Sequence, residues 1–200
     1  MAGDIVVSAA VEGMIDEAIA RRLIAHAGAV AGPVYGRQGK AALRQKIGGY
    51  LNAAQWDPWL IVVDLDRDFE CAPPLCAEWL DRTAPMLCFR VAVRQVEAWL
   101  LADAEGVADF LGVAKKRVPT DPEAVSEPKT TMINLARASR RRAIREDMVP
   151  REGSGRQVGP AYTSRMIEFV SSSWRPNVAA QRSDSLRRAI RCLRRLTQAQ

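Results

Sequence analysis

A chain of 200 residues, 48% of them hydrophobic, is long enough to bury one sizeable core, so one domain with an appendage is expected. No apolar run reaches the length of a membrane span and no charged leader precedes an apolar block, which argues against a membrane or exported protein and for a soluble, cytoplasmic one. The net charge of +6 is unevenly spread: residues 1–136 carry 14 basic and 18 acidic side chains (−4), whereas residues 137–200 carry 15 and 5 (+10), every one of those 15 an arginine.

In chain order, Ile5–Val7 with Ala9–Val11 reads as a first strand ending at Glu12-Gly13. A helix follows over about Ile15–Ala27, with Ile15, Ile19, Leu23 and Ala27 on one face. Glycines punctuate the next stretch, in which Ala29–Tyr35 has room for a short strand, and Lys40–Leu51 reads as a helix loosened at Gly48-Gly49. Trp59–Asp66 is a strand whose unbroken apolar run suits burial on both faces. Pro73-Pro74 opens a helix to about Asp81, Met86–Val93 is another strand, and Gln95–Ala102 starts a helix. Beyond Asp103 a proline-broken connector leads to helices at about Lys129–Arg145 and Tyr162–Ser171, separated by a glycine-rich turn. A last helix is capped by Ser183, with Leu186, Ile190 and Leu193 inward. Alternating strands and helices predict an α/β fold, a mostly parallel sheet flanked by helices with a C-terminal helical layer, divided into a core over 1–112 and an arginine-rich appendage over 113–200.

The chemistry-bearing residues cluster where strands should end. Asp64, Asp66 and Asp68 alternate, so an extended backbone would aim them to one face, where mutual repulsion is relieved by a divalent cation with oxygen ligands. A solvated acidic turn would have the same composition. Glu12 ends the first strand and could meet the aspartates if the two strands are neighbours. Glu97 follows the later strand as a further carboxylate, or as a partner of Arg94 or a helix cap. Lys129 opens a helix against the helix dipole, a placement suited to holding an anion. The four cysteines show no CxxC spacing and His26 is the only histidine, so zinc binding and His-dependent nucleophilic catalysis are not expected. Arginine forks match phosphate oxygens, so Arg187, Arg188 and Arg191 of the last helix, with Arg94, are candidates for nucleic-acid contact; Trp174 beside Arg175 is the candidate for base stacking, while Trp99 reads as core.

Glu12 after a first strand and Asp64-Leu65-Asp66 after a later one resemble the catalytic module of TOPRIM domains, found in topoisomerases, primases and OLD-type nucleases. The wider pattern is similar to a bacterial family of that group, domain of unknown function 4276. It rests on Val11-Glu12-Gly13, Asp64 to Asp68, Glu97 to Asp103, Pro128-Lys129, Gly159 to Tyr162 and Ser183 to Arg188, and spans residues 5 to about 196. Ile15 and Asp16-Glu17 stand where family members usually carry a threonine and two glutamates, and Asp184 replaces a usual proline. The resemblance implies a Rossmann-type TOPRIM-like fold and Mg²⁺ (or Mn²⁺) held by Glu12, Asp64, Asp66, Asp68 and Glu97. It also implies phosphodiester hydrolysis or nucleotidyl transfer on nucleic acid, often beside an ATPase partner in phage defence.

On this reading Glu12, Asp64, Asp66, Glu97 and Lys129 carry catalysis, with Asp68 behind them and Arg94 or Lys129 steadying the phosphate; DNA is the expected substrate, without sequence preference. No GxxxxGK[ST] loop is present, so any nucleotide-driven step needs a separate ATPase. The alternative is a noncatalytic partner or effector regulated by an ATPase, its acidic cluster structural. A phosphatase of the haloacid-dehalogenase type, which expects its aspartates nearer the N-terminus, ranks below both.

Overall fold

The computed structural model describes residues 5–198, which form two units: residues 5–96 with 184–198, and Glu97–Ser183. The expected division at 112 falls inside the second unit, and the last helix belongs with the sheet.

The first unit is built on four parallel strands, β1 (Val6–Val11), β2 (Val30–Gly36), β3 (Trp59–Asp64) and β4 (Leu87–Ala92), in the order β2-β1-β3-β4. This is the expected α/β architecture. Leu60, Ile61, Val62 and Val63 of the inner strand β3 are fully buried, each contributing about 1.5–3 kcal/mol of apolar burial. Alternation divides the packing. Trp59, Ile61 and Val63, with Phe89 and Val91 of β4, pack with Leu43, Tyr50, Leu75 and Trp79 from helices α2 (Lys40–Gln45), α3 (Ile47–Ala53) and α4 (Ala72–Trp79). Helix α1 (Met14–His26), whose Ile15, Ile19, Leu23 and Ile24 are buried, packs on β1 and β2. The long last helix, Asp184–Gln198, lies against β4 and α1. The helix expected over Lys40–Leu51 is interrupted at Lys46 alone and resumes as Ile47–Ala53, which takes in both glycines.

The first chain reversal sends β2 to one side of β1 and the second brings β3 to the other. The β1/β3 boundary is therefore the point where the strand order reverses, the place at which open α/β sheets form a crevice beyond their carboxyl ends.

The second unit is helical: α5 (Val96–Leu101) runs into it, followed by α6 (Ala104–Leu111), a 3₁₀ turn at Lys115–Arg117, α7 (Pro128–Arg137), α8 (Arg142–Met148), α9 (Tyr162–Ser172) and α10 (Pro176–Ala179), which makes the last helix α11. Two expectations are corrected here. Residues after Asp103 are not all connector: Asp103 accepts a hydrogen bond from the Gly106 amide and caps α6, whose Val107, Ala108 and Leu111 are buried at helical spacing. The helix expected over Lys129–Arg145 is two, interrupted where the Ser139 hydroxyl donates to the Leu111 carbonyl and accepts from the Arg141 amide. No described helix is long and apolar enough to cross a membrane.

Candidate functional site

Glu12 leaves β1 at its carboxyl end, and Gly13 continues extended to cap α1. The end of β2 is fastened alongside. Gly36 takes φ +91° and comes so near Val11 that a Cβ would lie 2.1 Å from the Val11 carbonyl oxygen, so only glycine fits. The amides of Arg37 and Gly39 then donate to the carbonyls of Val11 and Glu12. That stitching delivers Lys40, the first residue of α2, to the end of β3.

The carboxyl end of β3 receives partners from both sides. The Asp64 amide donates to Glu12 Oε1 at 2.8 Å, and Asp64 Oδ1 accepts from the Val96 amide at 2.9 Å. Lys40 Nζ donates to the Asp64 carbonyl and lies 3.0 Å from Asp66 Oδ2 and 2.7 Å from Asp68 Oδ2. Asp66 adopts φ +53°, a left-handed conformation that aspartate tolerates better than most residues. It is clasped there by Arg94, whose carbonyl accepts the Asp66 amide at 2.9 Å and whose Nη1 donates to the Asp66 carbonyl at 2.8 Å. Gln95 Nε2 donates to Asp66 Oδ1 at 3.1 Å, while Gln95 Oε1 is buried without a hydrogen-bond partner among the described residues.

Electrostatics follow from this crowding. Burial pushes the Glu12 carboxyl up to about 7, against the Asp64 amide and Lys40, with the nearby charges of Asp16 and Asp66 adding to the rise. Lys40 is raised too: burial opposes its charge, but the bonds to Asp68 and Asp66 outweigh it.

The structure therefore brings Glu12, Asp64, Asp66 and Asp68 to one sheet edge, with Arg94 beside them. Lys40 and Gln95 are the members that sequence reasoning missed; a lysine opening a helix just after a glycine loop, like the one noticed at 129, was the available signal. No group of three or more described His, Cys, Asp or Glu side chains is arranged as a preformed metal cage. Mg²⁺, however, is commonly held by one or two carboxylates together with water and substrate phosphate. The donor set fits such an ion: hard oxygens from Glu12, Asp64 and Asp66, a Gln95 oxygen beside Asp66 with no hydrogen-bond partner among the described residues, and a half-buried Glu12 whose anion is disfavoured by its surroundings.

Glu97 and Lys129 belong to the second unit, where Glu97, only 2% exposed, sits 3.6 Å from Lys129 Nζ and accepts from the Tyr162 hydroxyl at 3.3 Å. Burial, with Glu97 close by, pushes the Tyr162 phenol well above its ordinary value. Within that unit Glu97 is thus one anion that Lys129 meets. On α11, Arg187 and Arg188 both bond Asp184, one turn before them, and Arg191 is exposed. Trp174 is 0% exposed, so its ring cannot stack on a base, which corrects that expectation. Trp99 is core, as expected, and the exposed tryptophan is Trp56, at 84%.

Comparison of the chain with family models, with curated proteins and with solved structures found no match.

Proposed function

We propose that this chain is a metal-dependent phosphodiesterase acting on nucleic acid in the cytoplasm, of the TOPRIM type that its sequence resembles, its wider pattern being similar to domain of unknown function 4276. The single observation that carries this reading is the Glu12–Asp64 bridge across the β1/β3 switch point, which gathers carboxyl oxygens where such sheets bind ligands. Asp64 and Asp66 would hold Mg²⁺ or Mn²⁺, leaving Glu12 beside them as the proton acceptor. When bound, that ion supplies neutralisation of the charge that builds on a phosphodiester's nonbridging and leaving oxygens.

The chain's own groups do the rest. With a pKa near 7, Glu12 is poised to accept a proton from water and return it to a leaving oxygen near neutral pH. Asp64 is fixed by the Val96 amide and Asp66 by Gln95 and Arg94, so neither carboxylate must be reoriented for each turnover. Arg94 spends one guanidinium nitrogen on the Asp66 carbonyl and keeps the others for a phosphate oxygen. Lys40 balances Asp66 and Asp68 and yields to substrate or ion.

The test offers purified protein plasmid, linear and single-stranded DNA and RNA with Mg²⁺ or Mn²⁺, beside Glu12→Gln and Asp64→Asn. Cleavage by the wild type that both substitutions abolish supports the reading, and cleavage that survives both sinks it.

A second reading is favoured by Lys40, whose ammonium already neutralises Asp66 and Asp68: a noncatalytic partner controlled by an ATPase, its acidic edge purely structural. Inactivity on every substrate, together with retained binding of an ATPase encoded nearby, would favour it.

A further inference from the structure

A basic groove in the second unit has no part in the site just described. Arg137 at the end of α7, Arg145 on α8 and Arg151 in the following loop line a depression of about 600 Å³, and Arg151 with Arg156 lines an adjoining one of about 420 Å³. The two share Arg151 and Pro160, so they form one continuous surface. The loop that bears Arg151 and Arg156 is closed at its neck. The Gly159 amide donates to the Met148 carbonyl at 3.0 Å, the Ala161 amide to the Asp147 carbonyl at 2.9 Å, and a Cβ on Gly159 would come within 2.4 Å of Asp147 O. The ends of the loop are thereby fixed beside α8, although the loop itself carries three glycines.

The charge balance is one-sided. The two carboxylates in the lining, Glu146 and Asp147, are already neutralised from outside it, by Arg142 and Arg165, each at 2.7 Å. None of the four lining arginines meets a carboxylate among the described residues. Arg137 bonds Asn134 Oδ1, Arg145 bonds the Ser139 carbonyl, and the side chains of Arg151 and Arg156 make no bond there. Four guanidinium charges around a concave surface of this size exceed what one small anion can balance, and guanidinium forks match phosphate oxygens. The lining is otherwise proline, valine and serine with no aromatic ring, so it offers nothing on which a base could stack and little with which to read one.

We infer that the Arg137–Arg145–Arg151–Arg156 groove binds the phosphodiester backbone of nucleic acid without regard to sequence, a second contact that rests on the nucleic-acid reading of the chain but not on catalysis. It differs from the arginines of α11, two of which share Asp184.

The experiment measures anisotropy of a labelled oligonucleotide with the full chain in EDTA, so that no metal chemistry is needed, across a salt series. Variants are Arg151→Ala/Arg156→Ala, Arg137→Ala/Arg145→Ala, and the charge-matched control Lys115→Ala/Lys116→Ala in the 3₁₀ turn, all checked for folding by circular dichroism. Each groove pair is expected to weaken binding about tenfold at 0.1 M salt and to lower the slope of log K against log salt by about 1.5–2, since each backbone contact releases roughly one counterion. The control should change neither by more than about twofold. Equal losses in control and groove variants would show unlocalised attraction and overturn the inference, as would unaltered groove variants, a wild type that binds no oligonucleotide, or displacement by inorganic tripolyphosphate but not by unlabelled oligonucleotide. Groove variants that bind normally while Asp64→Asn abolishes cleavage reject the groove and leave the phosphodiesterase reading standing. Groove-dependent binding by a chain that cleaves nothing does the reverse.

Discussion

The side chain of Glu12 accepts a hydrogen bond from the backbone amide of Asp64 at 2.8 Å, across 52 residues of chain. This bond ties the carboxyl ends of β1 and β3 together, and it makes the acid at position 12 part of the same edge as the aspartates.

Conservative neutralisation of that edge should separate chemistry from folding. Glu12→Gln keeps an oxygen acceptor for the Asp64 amide, and Asp64→Asn keeps one for the Val96 amide. Both variants are therefore expected to stay folded while nucleic-acid cleavage falls by about 100-fold or more, the scale of losing a general base or a charge-stabilising ligand. Initial cleavage rates with Mg²⁺, beside melting curves, give the comparison.

Lys40 and a divalent cation should compete for the same carboxylates. Lys40→Met removes the ammonium from Asp66 and Asp68 and is expected to cost about 1 kcal/mol in EDTA, since both pairs are partly exposed. That is a Tm drop of about 2–4 °C for a chain of this size. Mg²⁺ should then raise Tm more in the variant than in the wild type; equal Mg²⁺ responses would contradict the competition.

Asp103 is the main polar anchor of the second unit. Its side chain is 0% exposed and takes a fork from Arg175, at 3.0 and 2.6 Å, as well as the Arg175 and Gly106 amides. Burial alone would raise this carboxyl, but those four bonds win and hold it below its ordinary value. Asp103→Asn is expected to destabilise by about 2 kcal/mol, at the low end for a broken buried pair because Arg175 is 42% exposed. Urea unfolding measures it, and a change below about 0.5 kcal/mol would rule out the anchoring role.

The thiol of Cys192 on α11 gives a pH signature. A bond from Cys88, reinforced by Arg90 and Arg195 against the opposing effect of burial, lowers Cys192 from 9.0 to about 6. A depressed pKa stabilises the fold fully above the unfolded value and loses that contribution as pH falls through the folded one. The contribution of Cys192 to stability should therefore rise between about pH 6 and 9. Burial pushes Cys88 well above 9.0, so its own effect lies at still higher pH. Cys192→Ser, which cannot titrate there, should flatten the urea midpoint across that window under reducing conditions.

Gly36→Ala should be the most damaging single methyl in the first unit. It combines positive φ with a Cβ 2.1 Å from the Val11 carbonyl oxygen, and a loss on the order of 2–4 kcal/mol is expected. The Arg37 and Gly39 amides that position Lys40 should then lose protection in hydrogen exchange.

Much of the fold was legible because its signals are local. The apolar run Trp59–Val63, the helical spacing of Ile15, Ile19 and Leu23, and the strand at Leu87–Ala92 each follow from side-chain periodicity within a few residues. Helix α6 had an equally local signal, Asp103 three residues before Gly106, obscured by the prolines further on. The break at Ser139 had none, since it depends on the Leu111 carbonyl 28 positions away.

The sequence by itself determined which residue types end the strands: Glu12 after β1 and the aspartates after β3. Only the tertiary structure decided that β1 and β3 are neighbours, that Lys40 and Gln95 attend the aspartates, that Glu97 is matched with Lys129 and Tyr162, and that four arginines share a groove whose two carboxylates are paired with other arginines. The reason is physical. Periodicity records which face of an element is apolar, whereas strand order and long-range polar partners are fixed by how whole elements pack, and a local pattern carries no information about that choice.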